Sequence, residues 1–154
     1  MIVAFTGHRP EKLGGWNPLN PVVSRVRNSL HAALLKHKPL YTISGMALGT
    51  DQWAAEACIE LGIPYIAAVP CDDMDRMWPA PARTRFKMII DKAREVVVVS
   101  PGPYQPWKMQ RRNEYMVDHC NLLIACHDGS PGGTKNCLEY AAQVGRDVEL
   151  LDWH

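Results

Sequence analysis

The chain has 154 residues, 47% of them hydrophobic and 21% charged, which suits one packed domain and argues against wholesale disorder. A formal net charge of +1 provides no general field for drawing in DNA or an anionic membrane, so any polyanion contact has to be local. No apolar run approaches the roughly 20 residues that span a bilayer, and residues 1–6 lead straight into Gly7-His8-Arg9 without a secretory leader, so a cytoplasmic, single-domain protein over residues 1–154 is expected.

Taken in chain order, the pattern alternates. Residues 1–6 are a short apolar run, predicted as a buried strand, and residues 21–38 carry a helical stripe of Val22, Val23, Val26, Leu30, Ala33 and Leu34 opened by Pro21. A second strand is predicted over 40–44. A helix follows over 51–61, closed by Gly62, with Pro64 barring its continuation. A third strand over 65–69 leads into a loop rich in Asp, Met and Pro over 70–81, then a helix over about 82–93. Four consecutive valines mark the strand over 95–100, which Pro101-Gly102-Pro103 breaks. A helix near 110–120, a strand over 122–126, a glycine-rich turn, a helix over 134–144 and a strand over 148–151 complete the order. Strands that are apolar almost throughout, separated by helices, predict an α/β Rossmann-like fold: a doubly wound, mostly parallel sheet covered on both faces. Such sheets take ligands beyond the carboxyl ends of their strands.

Three loops at those ends carry more chemistry than a connector needs. In Thr6-Gly7-His8-Arg9, with Lys12 beyond, Gly7 allows close backbone approach and the cations suit a phosphate or carboxylate. In Ser44-Gly45-Met46-Ala47-Leu48-Gly49-Thr50-Asp51, two glycines before a helix leave N–H groups free for an anion, with Thr50 or Asp51 as the cap. Asp51 would repel a phosphate there unless it bonds a ribose hydroxyl. In Asp128-Gly129-Ser130-Pro131-Gly132-Gly133-Thr134, a glycine pair precedes a helix expected to be capped by Thr134, and Gly133 is expected to need a positive φ. Read as the ends of neighbouring strands, the second and third loops form two anion nests around one nucleotide phosphate.

Plainer readings hold elsewhere. The five cysteines, Cys58, Cys71, Cys120, Cys126 and Cys137, are odd in number and contain no CxxC pair, which fits a reducing compartment without disulfides. His8, His119 and His127 have no helical i, i+4 partner and no acidic residue completing a ligand pattern, so no metal is expected. Trp78 and its fellow tryptophans in or beside loops either stack on a base or pack on the sheet.

Thr6-Gly7-His8-Arg9-Pro10, Ser44-Gly45-Met46-Ala47-Leu48-Gly49-Thr50-Asp51, Arg112-Asn113-Glu114-Tyr115-Met116 and Gly129-Ser130-Pro131-Gly132-Gly133-Thr134 together resemble the YpsA-like proteins of bacteria and phages. The likeness runs nearly end to end. These proteins belong to the SLOG superfamily, alongside LOG phosphoribohydrolases and DprA DNA-binding proteins. The resemblance implies a Rossmann-like sheet, a nucleotide-derived ligand and assembly into an oligomer, for which a dimer is the working guess. LOG enzymes carry Met-x-x-Arg-Lys-x-x-Met on a helix, and Met109, Arg112 and Met116 match that spacing with Asn113 in place of lysine. Arg112 is accordingly the candidate phosphate or ribose grip. The hydrolase's catalytic glutamate has no counterpart among Lys135, Asn136 and Cys137, and Glu139 falls roughly 200° further round a helix. Glu114 and Asp128 are the only substitutes the sequence suggests.

The resulting expectation is a protein that binds an ADP-ribose-like or nucleoside-phosphate ligand as sensor, carrier or sponge. The alternative is a nucleosidase or phosphoribohydrolase. No cofactor beyond that ligand is implied, and neither a membrane nor nucleic acid is expected as a partner, because no basic stripe is visible.

Overall fold

A computed structural model describes residues 1–153. Its strands are β1 (Ile2–Gly7), β2 (Tyr41–Ser44), β3 (Tyr65–Val69), β4 (Glu95–Val98), β5 (Leu122–Cys126) and β6 (Asp147–Leu150). Among the described residues they form one sheet in the order β4-β3-β2-β1-β5-β6, with every pairing parallel. The helices are α1 (Pro21–His37), α2 (Thr50–Leu61), α3 (Ala80–Lys92), α4 (Pro106–Asp118) and α5 (Gly133–Val144), plus a 3-10 turn over Pro10–Lys12 that the periodicity did not reveal.

Period-two alternation divides the sheet's side chains between two cores. Val3 and Phe5 of β1, with Leu122 and Ile124 of β5, meet Val23, Val26 and Leu30 of α1, Trp53 and Cys58 of α2, and Ile89 of α3. Ala4 and Leu123 face the other way, against Met116 and Val117 of α4 and Cys137 and Ala141 of α5. Helices α1 to α3 therefore cover one face and α4 and α5 the other. Glu56 of α2 knits the first layer, pairing with Arg27 of α1 at 3.3 Å and Arg85 of α3 at 2.5 Å. The buried Tyr65 hydroxyl donates to the Ile89 carbonyl of α3.

The element ends follow local chemistry. Asn20 caps α1 by accepting the Val22 N–H at 2.9 Å, and Pro21 takes the first position, where no N–H is needed. Gly62 and Gly145 close α2 and α5 in the left-handed region. Helices α3 and α4 start earlier than expected, at Ala80 and Pro106. Pro81, read as the end of a loop, instead lies in the first turn of α3, and Pro106 opens α4, positions where a missing N–H costs nothing.

Strand order positions the site. The chain steps outward from β1 through β2 and β3 to β4, then α4 carries it back to place β5 against the free side of β1. Direction reverses between β1 and β5, the place where open α/β sheets part their loops into a crevice. Among the described residues, no helix is long and apolar enough to cross a membrane.

Candidate functional site

A cavity of about 410 Å³ lies over the carboxyl ends of β2, β1 and β5. Its walls come from Thr6 to Arg9 after β1, Ala47 and Asp51 after β2, Met109, Arg112 and Asn113 on α4, and Ser130 to Thr134 after β5. The two glycine-rich turns are not neighbours: β1 separates β2 from β5, so they face each other across the loop that β1 feeds.

The turn before α5 is open. Gly132, with φ +140, is the N-cap and makes no side-chain capping bond, so no side chain of the turn takes up the first N–H groups of the helix. Thr134, expected as the cap, is instead buried within the first turn. Gly133 does not have the positive φ expected of it, and a Cβ there would meet nothing within 4 Å. Its lack of a side chain leaves the cavity clear; the unusual backbone belongs to Gly129 and Gly132.

The turn before α2 is filled by its own chain. The Thr50 N–H and hydroxyl both donate to the His8 carbonyl, at 3.3 and 3.1 Å. Gly49, φ +92, passes so close that a Cβ would lie 2.7 Å from that carbonyl oxygen. Ser44 accepts the Met46 N–H at 3.2 Å and donates to the Asp51 carbonyl at 2.8 Å, while Met46 is buried with φ 64. Together with the Ala47 N–H, which Asp51 accepts, these contacts take up N–H groups that a second anion nest would use. The turn presents a carboxylate instead: Asp51 Oδ2 accepts the Ala47 N–H at 3.3 Å, and Asp51 Oδ1 is buried without a hydrogen-bond partner.

Arg112 meets that carboxylate's neighbourhood from α4. Only 4% exposed, it donates Nε to Asn113 Oδ1 at 3.0 Å and Nη1 to the Gly45 carbonyl. A Cβ on Gly45 would sit 2.7 Å from Arg112 Nη1 and 2.9 Å from Asp51 Oδ2, so glycine is what lets the cation and the acid converge. Burial pushes the Asp51 carboxyl up to about 6, with Arg112 pulling the other way. Burial also lowers the Arg112 guanidinium, and Asp51 raises it again. Asn113 extends the network by donating to the Gly133 carbonyl at 3.3 Å, fastening α4 to the open turn.

A third cluster borders the cavity. His8 Nε2 lies 2.9 Å from Asp128 Oδ1 and 3.0 Å from the Asp128 N–H, so its proton state decides which it engages. Burial lowers the His8 imidazole, opposed by Asp128. Hydrogen bonds from Ser130, and then His8, hold the Asp128 carboxyl well below the usual carboxylate range. His127 joins them with its ring 5.0 Å from that of His8, and the three ligand atoms lie within 4.8 Å of one another. The fold thus completes an N,N,O donor set that linear spacing concealed, although Asp128 and Ser130 already occupy these groups and Lys12 Nζ stands 2.8 Å from Ser130 Oγ.

The sequence profile described as the YspA SLOG family matches residues 3–149. The chain belongs to that family. It is 36% identical over 156 residues to the uncharacterized SPbeta prophage-derived protein YoqJ of Bacillus subtilis, covering 88% of this chain and 91% of YoqJ. It is 26% identical to a UPF0398 protein of Bacillus cereus strain B4264, covering 99% and 87%. Among solved structures, DNA processing protein A (DprA) of Streptococcus pneumoniae superposes with TM-score 0.70 at 22% identity, covering 96% of this chain and 49% of that one. DprA of Helicobacter pylori, described with a single-stranded DNA binding mode, gives 0.70 at 17%, covering 97% and 64%. The molybdenum cofactor carrier protein of Chlamydomonas reinhardtii gives 0.61 at 17%, covering 97% and 74%. At these identities the structural likeness shows the fold alone. The fold is thus shared by a protein described with single-stranded DNA binding and by a cofactor carrier, and does not by itself decide the partner.

In this YspA SLOG protein, ten of the residues singled out in the sequence, Thr6, Gly7, His8, Arg9, Asp51, Arg112, Asn113, Gly132, Gly133 and Thr134, line the cavity. Ser44, Gly45, Met46, Gly49 and Gly129 do not: the first four build the β2–α2 turn, and Gly129 is an exposed turn residue with φ +90. Glu114 and Asp128, the substitute acids, also lie off the cavity wall, with Glu114 3.7 Å from Arg111. Glu11, Ala47, Ser130 and Pro131 line it without having been singled out. Ala47, Ser130 and Pro131 stood inside recognised motifs, whereas Glu11 carries no signal of its own.

Proposed function

We propose that the protein binds a nucleotide or nucleotide-sugar phosphate in this cavity, in a reducing cytoplasm, as a sensor, carrier or sponge. The observation that carries the reading is the buried, unpartnered Asp51 Oδ1 on a wall shared with Arg112. A buried carboxylate oxygen without a donor costs stability, and a ligand hydroxyl supplies what is missing. An acid at this point of a Rossmann-like crevice suits a ribose hydroxyl. The uncapped α5 N-terminus and the unused donors of Arg112 suit a phosphate.

Isothermal titration with nucleoside monophosphates, ADP-ribose and, as a separate arm, single-stranded oligonucleotide tests the reading. Arg112→Lys and Arg112→Ala are expected to weaken a phosphorylated ligand roughly 10- to 150-fold, and its dephosphorylated counterpart far less. Equal losses would assign Arg112 to the fold alone, and binding of oligonucleotide only would move the protein to a different class.

A second reading has one specific observation behind it. Asp51, with its carboxyl near 6, is proton-poised in the cavity, as general acid–base cleavage of an N-glycosidic bond would require. Chromatography of each nucleotide after incubation decides: release of free base that Asp51→Asn abolishes would make the protein a hydrolase, and intact ligand supports the binder.

A further inference from the structure

Beside the cavity lies a second chamber of about 340 Å³, and Arg9, Ala47 and Met109 line both. Its far walls bring together Met74, Met77 and Trp78 from the loop after β3 and Pro103 and Tyr104 from the loop after β4, with the charged Asp73 and Arg76 set among them. Met77 is 84% exposed and Tyr104 52%, a concentration of large apolar side chains that a solvated surface seldom gathers round a hollow. The first chamber contains Arg112, Asp51 and an open helix terminus; what sets the second apart is its two aromatic rings and its thioethers, held beside Asp73 and Arg76.

The second chamber is built before anything enters it. Asp72 Oδ2 accepts the Gly102 N–H at 2.7 Å, and Asp73 Oδ1 accepts the Tyr104 N–H at 2.9 Å, so adjacent carboxylates pin one loop to the other. The buried Lys108 ammonium donates to the Pro101 and Pro103 carbonyls at 2.9 and 2.7 Å, gripping the turn that presents Tyr104. Trp78 is braced edge-on by Phe86, with ring centroids 5.3 Å apart. A buried lysine spent on two loop carbonyls is costly unless the loop's position matters.

We infer that this chamber is a base subsite: it takes the flat heteroaromatic end of the same ligand whose phosphate and ribose occupy the first chamber, with Trp78 and Tyr104 as stacking surfaces. The inference rests on the nucleotide reading above. The shared wall supports this occupant over a separate peptide, because a ligand running from the α5 terminus past Asp51 reaches Met109 and Ala47 next. Aromatic rings and adaptable methionines suit a π-face. Each volume falls within the range of about 300–1,000 Å³ found for small-molecule sites.

Ribose 5-phosphate and the four common nucleoside 5′-monophosphates, titrated in parallel into the full chain, provide the test. The best nucleotide is expected to bind at least about tenfold tighter than ribose 5-phosphate, within the 5- to 150-fold or so that one stacked base contributes. Tyr104→Ala and Trp78→Leu are expected to erase that advantage while leaving ribose 5-phosphate affinity unchanged, which also controls for folding. If ribose 5-phosphate binds as tightly as every nucleotide, or the advantage survives both variants, the base subsite is wrong and the phosphate site stands. If ribose 5-phosphate and the nucleotides all fail to bind, both readings fall together.

Discussion

Two turns with nearly the same spelling do opposite jobs. Ser44 to Asp51 and Asp128 to Thr134 both follow a parallel strand, both contain paired glycines and both open a helix. In the first, glycine makes room for protein: Gly49 for the His8 carbonyl, Gly45 for Arg112 and Asp51. In the second, Gly132 and Gly133 have nothing within 4 Å of a virtual Cβ and border the cavity. A glycine-rich turn before a helix is therefore an anion nest only where the chain has not already supplied the acceptors. The first turn contributes a carboxylate and the second contributes vacant donors, so the cavity has both an acid wall and an anion-accepting wall.

The largest expected effect that sharpens this contrast comes from Arg112→Ala. It strips the Gly45 carbonyl of its donor and leaves buried Asp51 with only the smaller influence of Arg9 as counter-charge, so a loss of about 3 kcal/mol in urea unfolding is expected. Adding Asp51→Asn should restore much of that stability without restoring ligand binding. A double variant as unstable as the single one would show that the two groups are not coupled.

Asp51→Asn alone is expected to stabilise the protein. The folded carboxyl is near 6 against an ordinary value of 3.8, so the neutral form is favoured by folding. Stability from this group is complete below pH 3.8, falls as pH rises through 6 and is constant above. The wild type therefore gives up as much as about 3 kcal/mol at neutral pH. Denaturation from pH 4 to 8 should show a slope that the variant lacks; parallel profiles would mean that the carboxylate is better solvated than its burial implies.

The glycines give a paired comparison of intermediate size. Gly45→Ala is expected to cost about 1–3 kcal/mol, because its Cβ meets a guanidinium and a carboxylate with no room to yield. Gly133→Val should unfold within about 0.5 kcal/mol of wild type yet lose ligand affinity, since the added side chain enters the open cavity. The reverse ranking in thermal melts would overturn the assignment of the two turns. Smallest is Lys12→Ala, which breaks an exposed contact to Ser130 and should shift stability by less than about 0.5 kcal/mol.

Much of this was legible in the sequence and some could not have been. Strand and helix order followed from periodicity, and Arg112 stood out through its spacing from Met109 and Met116. Nothing local reveals that Gly45 and Arg112, 67 residues apart, form one contact, or that His8 and Asp128 meet across 120 residues. The closed turn hid for the same reason: its acceptor, the His8 carbonyl, comes from another loop. Met46 shows the limit of residue-type rules, since it takes a φ of 64 where glycine would be expected and is fixed there by burial and by the Ser44 hydroxyl. Pro81 misled because proline marks a loop and a helix's first turn equally well.

The reversal of strand order also has a consequence for how the molecule is made. β1 is central, yet its two neighbours arrive at very different times during synthesis: Val3 pairs with Thr42 on one side and with Leu122 on the other. Until β5 emerges, a nascent chain holding β1 to β4 displays the bare flank of an apolar central strand, the kind of edge that recruits another copy. Closing that flank also brings in α4, and with it the cation that Asp51 lacks. Chains stalled before residue 122 should accordingly aggregate or depend on chaperones, whereas chains extending past Leu150, with β6 in place against β5, should not.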